Sequence, residues 1–471
     1  MRTLWPAIDK IKRIDAHQRE RLAIALSKPV GILGGNPGAG KTFTLAMLTD
    51  ALIEQYGPQD VRICALTGKA GVRLTENLYE YDIRGVEATT THRMLGVSRN
   101  GHDGDGWGFI HNSENPVPAR FILADESSMY GTTLGANLAA ALQPGTHLLF
   151  SGDFGQLPPV EHGAPLRDLI AAGIPYGELE KIRRNAGDVI TACRELKAGR
   201  MYLPSKTIDL EKGLNLPHFE LKYGESAIER ICRIVGVVKS RFGFDPVWDT
   251  QVICAVNEDT PVCRDELNKQ LQVVLNPDGI TPEGTKKKFR LGDKVINNSN
   301  MFIKKVFCPN FRFCSNPRVE PMVEGKRYVC PACGYDFSAK DMVEDFVANG
   351  EIGKLVSMRP GVLHVEFSSP NRTLRFAGEH VNELDLAYAI TAHKSQGSQW
   401  PMVIVAIDDS RNADFVTSWE WYRTALSRMQ SLCCTVGRWE ALVRQCKRSA
   451  LAPRKTFLTE RLKEEFRRMV A

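Results

Sequence analysis

No apolar run in this 471-residue chain approaches the roughly 18 residues a membrane-spanning helix needs; the longest, 402–407, is far shorter. No charged start followed by an apolar block opens the sequence, and 9–21 is dense with charge, so a signal peptide is not expected. Internal repeats and low-complexity linkers are missing. So is a large excess of one charge sign: 61 Lys and Arg face 55 Asp and Glu, a net charge of +6. That balance permits a nucleic-acid partner without establishing one, because an excess of this size is often a solvated surface. With 43% hydrophobic and 25% charged residues, a largely disordered chain, a collagen-like repeat and a disulfide-stapled miniprotein are excluded. The length fits about two to four domains. A soluble, intracellular protein is expected, with no membrane association.

Twelve cysteines are present. Eight are scattered (Cys64, Cys193, Cys232, Cys254, Cys263, Cys433, Cys434 and Cys446) and read as small buried hydrophobes in a reducing compartment. The other four cluster as Cys308, Cys314, Cys330 and Cys333. Cys330-Pro331-Ala332-Cys333-Gly334 has the form of a zinc knuckle, whose tight turn aims two thiolates at one metal. Cys308 and Cys314 are spaced more loosely. Four thiolates would make a closed structural Zn²⁺ site with no open position for catalysis. Around them, six basic residues (Lys304, Lys305, Arg312, Arg318, Lys326, Arg327) face only Glu320 and Glu324. That excess is either a phosphate-facing patch, a partner dock or ordinary solvated surface.

The strongest motif follows the apolar run 30–34. Gly35-Asn36-Pro37-Gly38-Ala39-Gly40-Lys41-Thr42 is G-x-x-x-x-G-K-T between a predicted strand and a helical pattern. Glycines let the loop curl so that backbone N–H groups point at phosphate oxygens, and the helix N-terminus adds partial positive charge. Lys41 would reach the β- and γ-phosphates of ATP, and the Thr42 hydroxyl would bind Mg²⁺. A second apolar strand, 121–124, ends in Asp125-Glu126. Asp125 is placed to hold Mg²⁺ and Glu126 to activate the attacking water. A third strand leads into Gly152-Asp153-Phe154-Gly155-Gln156-Leu157-Pro158, where Gln156 can sense the γ-phosphate.

This ordered series resembles superfamily 1 DNA helicases, most closely the RecD-like and Dda-like branch. Gln18 resembles the adenine-recognising glutamine of that family. The stretch 65–74, with Thr67 and Lys69, resembles the next motif, a single-strand contact; 89–96, with Thr90 and His92, resembles the T-x-H-x-L-L-G element. Asp125 to Met129 and Gly152 to Pro158 match motifs II and III. Residues 179–185 resemble motif IV and place Arg184 as a γ-phosphate arginine. Thr391-Ala392-His393-Lys394-Ser395-Gln396-Gly397 matches motif V, giving Thr391, His393 and Lys394 to DNA and Gln396 and Gly397 to nucleotide. Thr424-Ala425-Leu426-Ser427-Arg428 resembles motif VI and makes Arg428 a second arginine finger. The match runs from about residue 14 to 437. There are departures. Asn36 stands where glycine is usual, which should matter little because its backbone does the work. Arg423 replaces an aromatic before motif VI. The N-terminal helical domain of longer bacterial relatives is missing, as in the short phage helicases, which leaves a phage origin open.

The resemblance implies an α/β fold of two RecA-like P-loop domains, with a β-hairpin insertion and an SH3-like barrel insertion carrying a zinc finger. The expected boundaries are 1–175 for the first RecA-like domain, with an inserted hairpin at 97–118. The second domain spans 176–290 and 381–437. The barrel spans 291–380, with the finger at 304–337. In the family the hairpin is a pin at the duplex junction; Trp107 and Phe109 are candidates for stacking on the terminal base pair, or for covering the hairpin's own base. The threonines and histidines assigned to DNA have a plainer reading, as helix caps and satisfied interior groups. Residues 438–471 form a basic tail, ten Lys and Arg against four Glu, with a helical pattern of Phe457, Leu458, Leu462 and Phe466 that suggests a packed amphipathic helix. The implied function is an ATP-dependent 5′→3′ DNA helicase, probing single-stranded DNA and forks as a monomeric motor in the cytoplasm of a bacterium or phage-infected cell. A replication or recombination partner could dock on the zinc module or tail. An RNA helicase of the same superfamily, or a nucleic-acid-binding accessory using ATP as a switch, are the competing readings.

Overall fold

The computed structural model describes residues 11–98, 108–181, 187–283, 288–306, 322–324, 327–330, 333–337, 342–368 and 371–470. The chain divides into two compact units, Met1–Leu275 with Tyr388–Ala471, and Asn276–Ala387. Trp107, Arg184, Cys308 and Cys314 lie outside the described residues.

The larger unit contains two parallel sheets. The first is built from β1 (Val30–Gly35), β2 (Val61–Ala65), β3 (Thr89–Thr90), β4 (Phe121–Asp125), β5 (His147–Gly152) and β6 (Tyr176–Leu179), in the order β3-β2-β4-β5-β1-β6. Its strands are near-continuous apolar runs because both faces are covered. Leu33, Ile63, Leu123 and Leu149 point into one core with Leu22, Leu48, Leu52 and Leu78. Their strand neighbours Ile32, Cys64, Ile122 and Leu148 point into the other with Leu134, Leu138 and Leu166. The expected boundary at 175 falls one strand too early. Tyr176–Leu179 pairs in parallel with Val30–Gly35 and completes this sheet.

Three helices place the motifs around the carboxyl ends of these strands: α1 (Ala16–Ala25), α2 (Lys41–Tyr56) and α3 (Gly68–Glu80). In an open parallel sheet ligands bind at that edge. Helix α1 begins in a capping box in which Asp15 and Gln18 exchange hydrogen bonds. It lies unusually close to the sheet. A Cβ on Gly31 would fall 1.7 Å from the Ala25 carbonyl oxygen, and one on Gly177 would fall 1.8 Å from that of Arg21. Only glycine allows this approach, which brings Gln18 beside α2.

The second sheet comprises β7 (His218–Glu220), β8 (Thr250–Cys254), β9 (Ala389–Thr391), β10 (Trp400–Ala406) and β11 (Met429–Gly437), ordered β9-β8-β10-β11-β7 and parallel throughout. Three further helices matter to the site: α4 (Pro165–Ala171) below the first sheet, α5 (Trp419–Leu426) leading into β11, and α6 (Leu458–Val470) at the C-terminus. The basic tail straps back across the unit. Arg167, on α4, donates to the carbonyls of Leu451 and Arg454 at 2.9 Å each. Arg454 in turn donates to the carbonyls of Glu161 and Gly163 at 2.7 and 2.8 Å. Its expected apolar face is only partly covered, because Phe457 is 77% and Phe466 37% exposed; backbone-directed hydrogen bonds hold the strap instead.

The smaller unit is a five-stranded antiparallel sheet of Asn371–Ala377, Val362–Ser368, Ile352–Arg359, Lys294–Asn297 and Leu384–Leu386, in that order. Val295, Leu355, Val365, Phe367, Leu374 and Phe376 are its buried core. The strands of an antiparallel ribbon, Met301–Val306 with Met342–Val347, flank in the chain a small three-stranded sheet of Met322–Glu324, Arg327–Val329 and Asp336–Phe337. Among the described residues no helix is long and apolar enough to cross a membrane.

The close approach of α1 gives a direct test. Gly177→Ala drives a methyl into backbone, and overpacking of this kind should destabilise the protein by about 1–3 kcal/mol in urea unfolding. An unchanged midpoint would remove the close-packing role.

Candidate functional site

The loop after β1 turns sharply through left-handed glycines, Gly38 at φ 76° and Gly40 at φ 84°, before α2 starts at Lys41. Lys41 Nζ donates to the carbonyls of Gly35 at 2.8 Å and Asn36 at 3.2 Å, folding the ammonium over its own loop. Thr42 is half-buried in the first turn of α2. Gln18 is buried, its Nε2 donating to Thr44 Oγ1 at 2.9 Å and its Oε1 accepting from Asp15 N at 3.2 Å. Each end of its amide is thus engaged once within the protein, which leaves one N–H and one lone pair for an adenine.

Asp125 closes β4, and its Oδ1 accepts from Ser151 Oγ on the neighbouring β5 at 2.7 Å. Consecutive side chains on a strand point to opposite faces. The chain breaks that alternation at Glu126, which takes a left-handed φ of 50°, a conformation that costs a non-glycine residue about 1 kcal/mol or more. Burial, and then the Asp125 charge, push the Glu126 carboxyl up from its ordinary value; Arg428, Lys41 and Arg73 offset this in part. Three cations from three elements therefore act on the carboxyl expected to serve as base.

Arg428, expected as a finger, follows α5 and is buried. Its Nε donates to the Thr424 carbonyl at 3.0 Å and its Nη2 to Ser427 Oγ at 2.9 Å. Burial pulls its pKa down and the Glu126 charge opposes that. Two amides in the motifs have unspent polarity. Gln156 Oε1 and Gln396 Nε2 are buried without a hydrogen-bond partner among the described residues. Buried orphans of this kind call for a ligand or water. Together with the curled loop and Lys41 resting on carbonyls alone, the Gln396 donor fits a nucleotide phosphate chain, while the Gln156 oxygen, an acceptor, fits a water.

Sequence reasoning missed how Arg423 is used. The side chain is fully buried, with Nη2 2.8 Å from Asp153 Oδ2 and Nη1 2.9 Å from Asp153 Oδ1. Nη2 also donates to Asn36 Oδ1 at 2.9 Å. The expectation that the side chain at 36 matters little is corrected: it is the acceptor that joins the phosphate loop to α5. Burial alone would raise the Asp153 carboxyl, but Arg423, and then Lys41, outweigh it and hold it below the ordinary carboxylate value. Beside this pair, Leu157 N donates to Thr424 Oγ1 at 2.9 Å. The signal available in the sequence was two separate departures from the family pattern, with nothing to say that they meet.

The residues expected to face a nucleic-acid strand fall on helix starts. Thr67, Thr90 and Thr391 each cap a helix, accepting from Ala70, Arg93 and Lys394 N–H at 3.2, 3.1 and 3.4 Å. The plainer reading of these threonines therefore holds, yet capping spends the oxygen as acceptor and leaves the hydroxyl proton free to donate. Lys69 lies over the Trp400 ring at 5.3 Å. Arg73 reaches the Gly397 carbonyl at 3.4 Å and Gln399 Oε1 at 2.8 Å, so α3 and the motif V loop are in contact. Burial lowers the pKa of both His92 and His393, with Arg454 of the tail adding to the effect at His393. They would meet a phosphate as neutral donors. Phe109 sits at the base of a short ribbon, paired with Val97, with its ring 6.0 Å from that of His92. It braces the ribbon against the core.

In the smaller unit Cys330 and Cys333 lie on one tight turn. Gly334 N donates to the Cys330 carbonyl at 2.8 Å with Gly334 at φ 73°, and Cys330 N donates to the Tyr335 carbonyl at 2.8 Å. No group of three or more metal-ligating side chains occurs among the described residues.

Comparison with known proteins places these motifs. Residues 13–211 match the family model described as an AAA domain, and 386–433 match the UvrD-like helicase C-terminal domain. The ATP-dependent RecD2 DNA helicase of Deinococcus radiodurans is 29% identical over 381 residues, 80% of this chain and 43% of that protein. The RecBCD enzyme subunit RecD of Mycolicibacterium smegmatis is 28% identical over 462 residues, 91% of this chain and 71% of that protein. The chain thus spans less than half the length of the Deinococcus relative. Among solved structures, Pif1 helicase from Bacteroides in complex with ADP-AlF3 and ssDNA aligns over 97% of this chain and 98% of its own, at 16% identity and a TM-score of 0.49. The first family model covers the first parallel sheet and the second covers three strands of the other, and across most of its length the chain resembles the RecD-like superfamily 1 helicases.

Proposed function

We propose that the protein is an ATP-dependent DNA helicase that translocates 5′→3′ on single-stranded DNA and opens duplex at forks. The observation that carries the reading is that one cluster of charges, buried at Asp153, Arg423 and Arg428, is drawn from both parallel sheets. Lys41, Glu126 and Asp153 come from the first, Arg423 and Arg428 from the second. A hydrolytic site split in this way links hydrolysis to movement of one sheet against the other.

In this reading Gly35 to Thr42 hold the phosphates through backbone N–H groups. Thr42 and Asp125 hold Mg²⁺, which supplies charge neutralisation on the phosphoryl oxygens. Glu126 takes the proton of the attacking water, Gln156 accepts and Gln396 donates at the cleft, Arg184 is the γ-phosphate arginine, and Arg428, the second finger, stabilises developing charge. Residues through Leu179 form the first motor domain. Residues 180–275 with 388–437 form the second, and 276–387 an SH3-like clamp on the strand. The ribbon within 97–118 separates the strands, with Trp107 stacking on the terminal pair and Phe109 bracing its base. Thr67, Lys69, Thr90, His92, Thr391, His393 and Lys394 line the path of the single strand. Cys308 and Cys314 join the Cys330–Cys333 turn in a structural zinc site, with the module or the basic tail open to a replication or recombination partner.

The deciding experiment is ATP-driven strand displacement on two duplexes that differ only in a 5′ or a 3′ single-stranded tail. Unwinding of the 5′-tailed duplex alone is expected. Unwinding from the 3′ tail would break the polarity, and ATPase stimulated by RNA rather than DNA would move the substrate class. For the base, catalysis needs the ionised carboxylate, and the Glu126 carboxyl is pushed above its ordinary 4.5. The kcat should therefore fall as pH is lowered, with its acid limb above the usual carboxylate range. Glu126→Gln should abolish that limb along with most turnover while nucleotide still binds. Metal analysis of a reduced sample should find about one zinc per chain; a zinc-free, fully folded protein would defeat the finger.

A further inference from the structure

The two positions at which the motif series departs from the family pattern are in contact. Arg423 Nη2 donates to Asn36 Oδ1 at 2.9 Å while the same guanidinium grips Asp153. Gly155 leaves room for it, since a Cβ there would lie 2.4 Å from Arg423 Nη1. Glycine at 36 would offer no acceptor, and an aromatic at 423 would offer no fork. The half-buried Asn36 amide supplies an acceptor to a guanidinium that is otherwise committed to Asp153.

Asn36 is also held from its other side. Its backbone carbonyl accepts from Lys41 Nζ at 3.2 Å. With two of its three N–H groups on Gly35 and Asn36 carbonyls, Lys41 has one left for a phosphate oxygen. Arg423 pulls on the side chain rather than the carbonyl and does not compete with phosphate.

We infer that Arg423 is a positioning residue for the nucleotide. Acting through Asn36, it fixes the phosphate loop against α5, so that the loop and Arg428 are set in register before the phosphates arrive. The inference rests on the nucleotide-site reading above and adds to it an element particular to this chain.

The test is a cycle of Asn36→Gly, Arg423→Lys and the double variant, read by titration with fluorescently labelled ADP, by steady-state ATPase and by thermal unfolding. Asn36→Gly removes only the acceptor and leaves the Asp153 pair intact, so it keeps the test valid if Arg423→Lys folds poorly. ADP affinity and KM for ATP should each worsen about tenfold in Asn36→Gly, the scale of one hydrogen bond to a charged group, a larger factor than any fall in kcat. Arg423→Lys keeps charge opposite Asp153 but loses the fork, and should show the same loss. The double variant should bind no worse than either single. Unchanged ADP affinity in Asn36→Gly, or losses that multiply in the double variant, would overturn the positioning role. The nucleotide-site reading is tested separately by the unaltered protein and Lys41→Ala. An unaltered chain that binds no ADP overturns both readings; normal binding with an unaffected Asn36→Gly overturns the positioning role alone.

Discussion

The buried pair of Arg423 and Asp153 is the constraint around which the nucleotide cleft is arranged. Both side chains are essentially without solvent, 0% and 2% exposed. Stripping water from a guanidinium and a carboxylate costs several kcal/mol per ion, so the pair is poor evidence of stability in itself. Its geometry matters more. Two nitrogens face two oxygens, and one of those nitrogens is shared with Asn36, so α5 can meet the first sheet in few ways. Removing either charge would strand the other in the interior, at about 3–5 kcal/mol. Nearby contacts inherit the register: Leu157 N on Thr424 Oγ1, and Arg428 one turn beyond Thr424.

This explains why some of the site could be read from residues alone. Local rules suffice for the phosphate loop, because glycines at left-handed positions and a lysine opening a helix leave a fixed spacing in the chain. The same holds for Asp125 and Glu126 at a strand end. Contacts across the cleft obey no local rule. Asp153 and Arg423 are separated by 270 residues, and neither residue's neighbours announce the other. Arg73 with Gln399, and Arg454 with the Glu161 carbonyl, were invisible for the same reason.

Asn36 acts through its side chain as well as its backbone, and the tail, helical over Leu458–Val470 as its spacing predicts, is also tied down by arginines. In both places the chain uses polar side chains against backbone or amide partners. Hydrophobic periodicity does not register such bonds. The boundary at 175 failed differently: Tyr176–Leu179 is only four residues long, and a short strand after a glycine-rich turn carries little period to detect.

The electrostatics of the cleft follow from the same arrangement. Lys41, Arg73, Arg423 and Arg428 surround Asp125, Glu126 and Asp153, an excess of one positive charge before any ligand is present. A cleft of that sign favours an anion. Yet the charges are not equivalent. Arg423 is committed to Asp153, which holds that carboxylate ionised, whereas Arg428 spends its nitrogens on a carbonyl and a hydroxyl and meets the Glu126 charge with no direct ion pair between them. Glu126 sits between these extremes, raised by burial and Asp125 and only partly relieved by the cations. Incoming phosphate charge would draw on Lys41 and Arg428, weaken their hold on Glu126, and raise its basicity further. The left-handed backbone at Glu126 serves this end: it turns a second carboxyl toward a cleft that a regular strand would have aimed away from it.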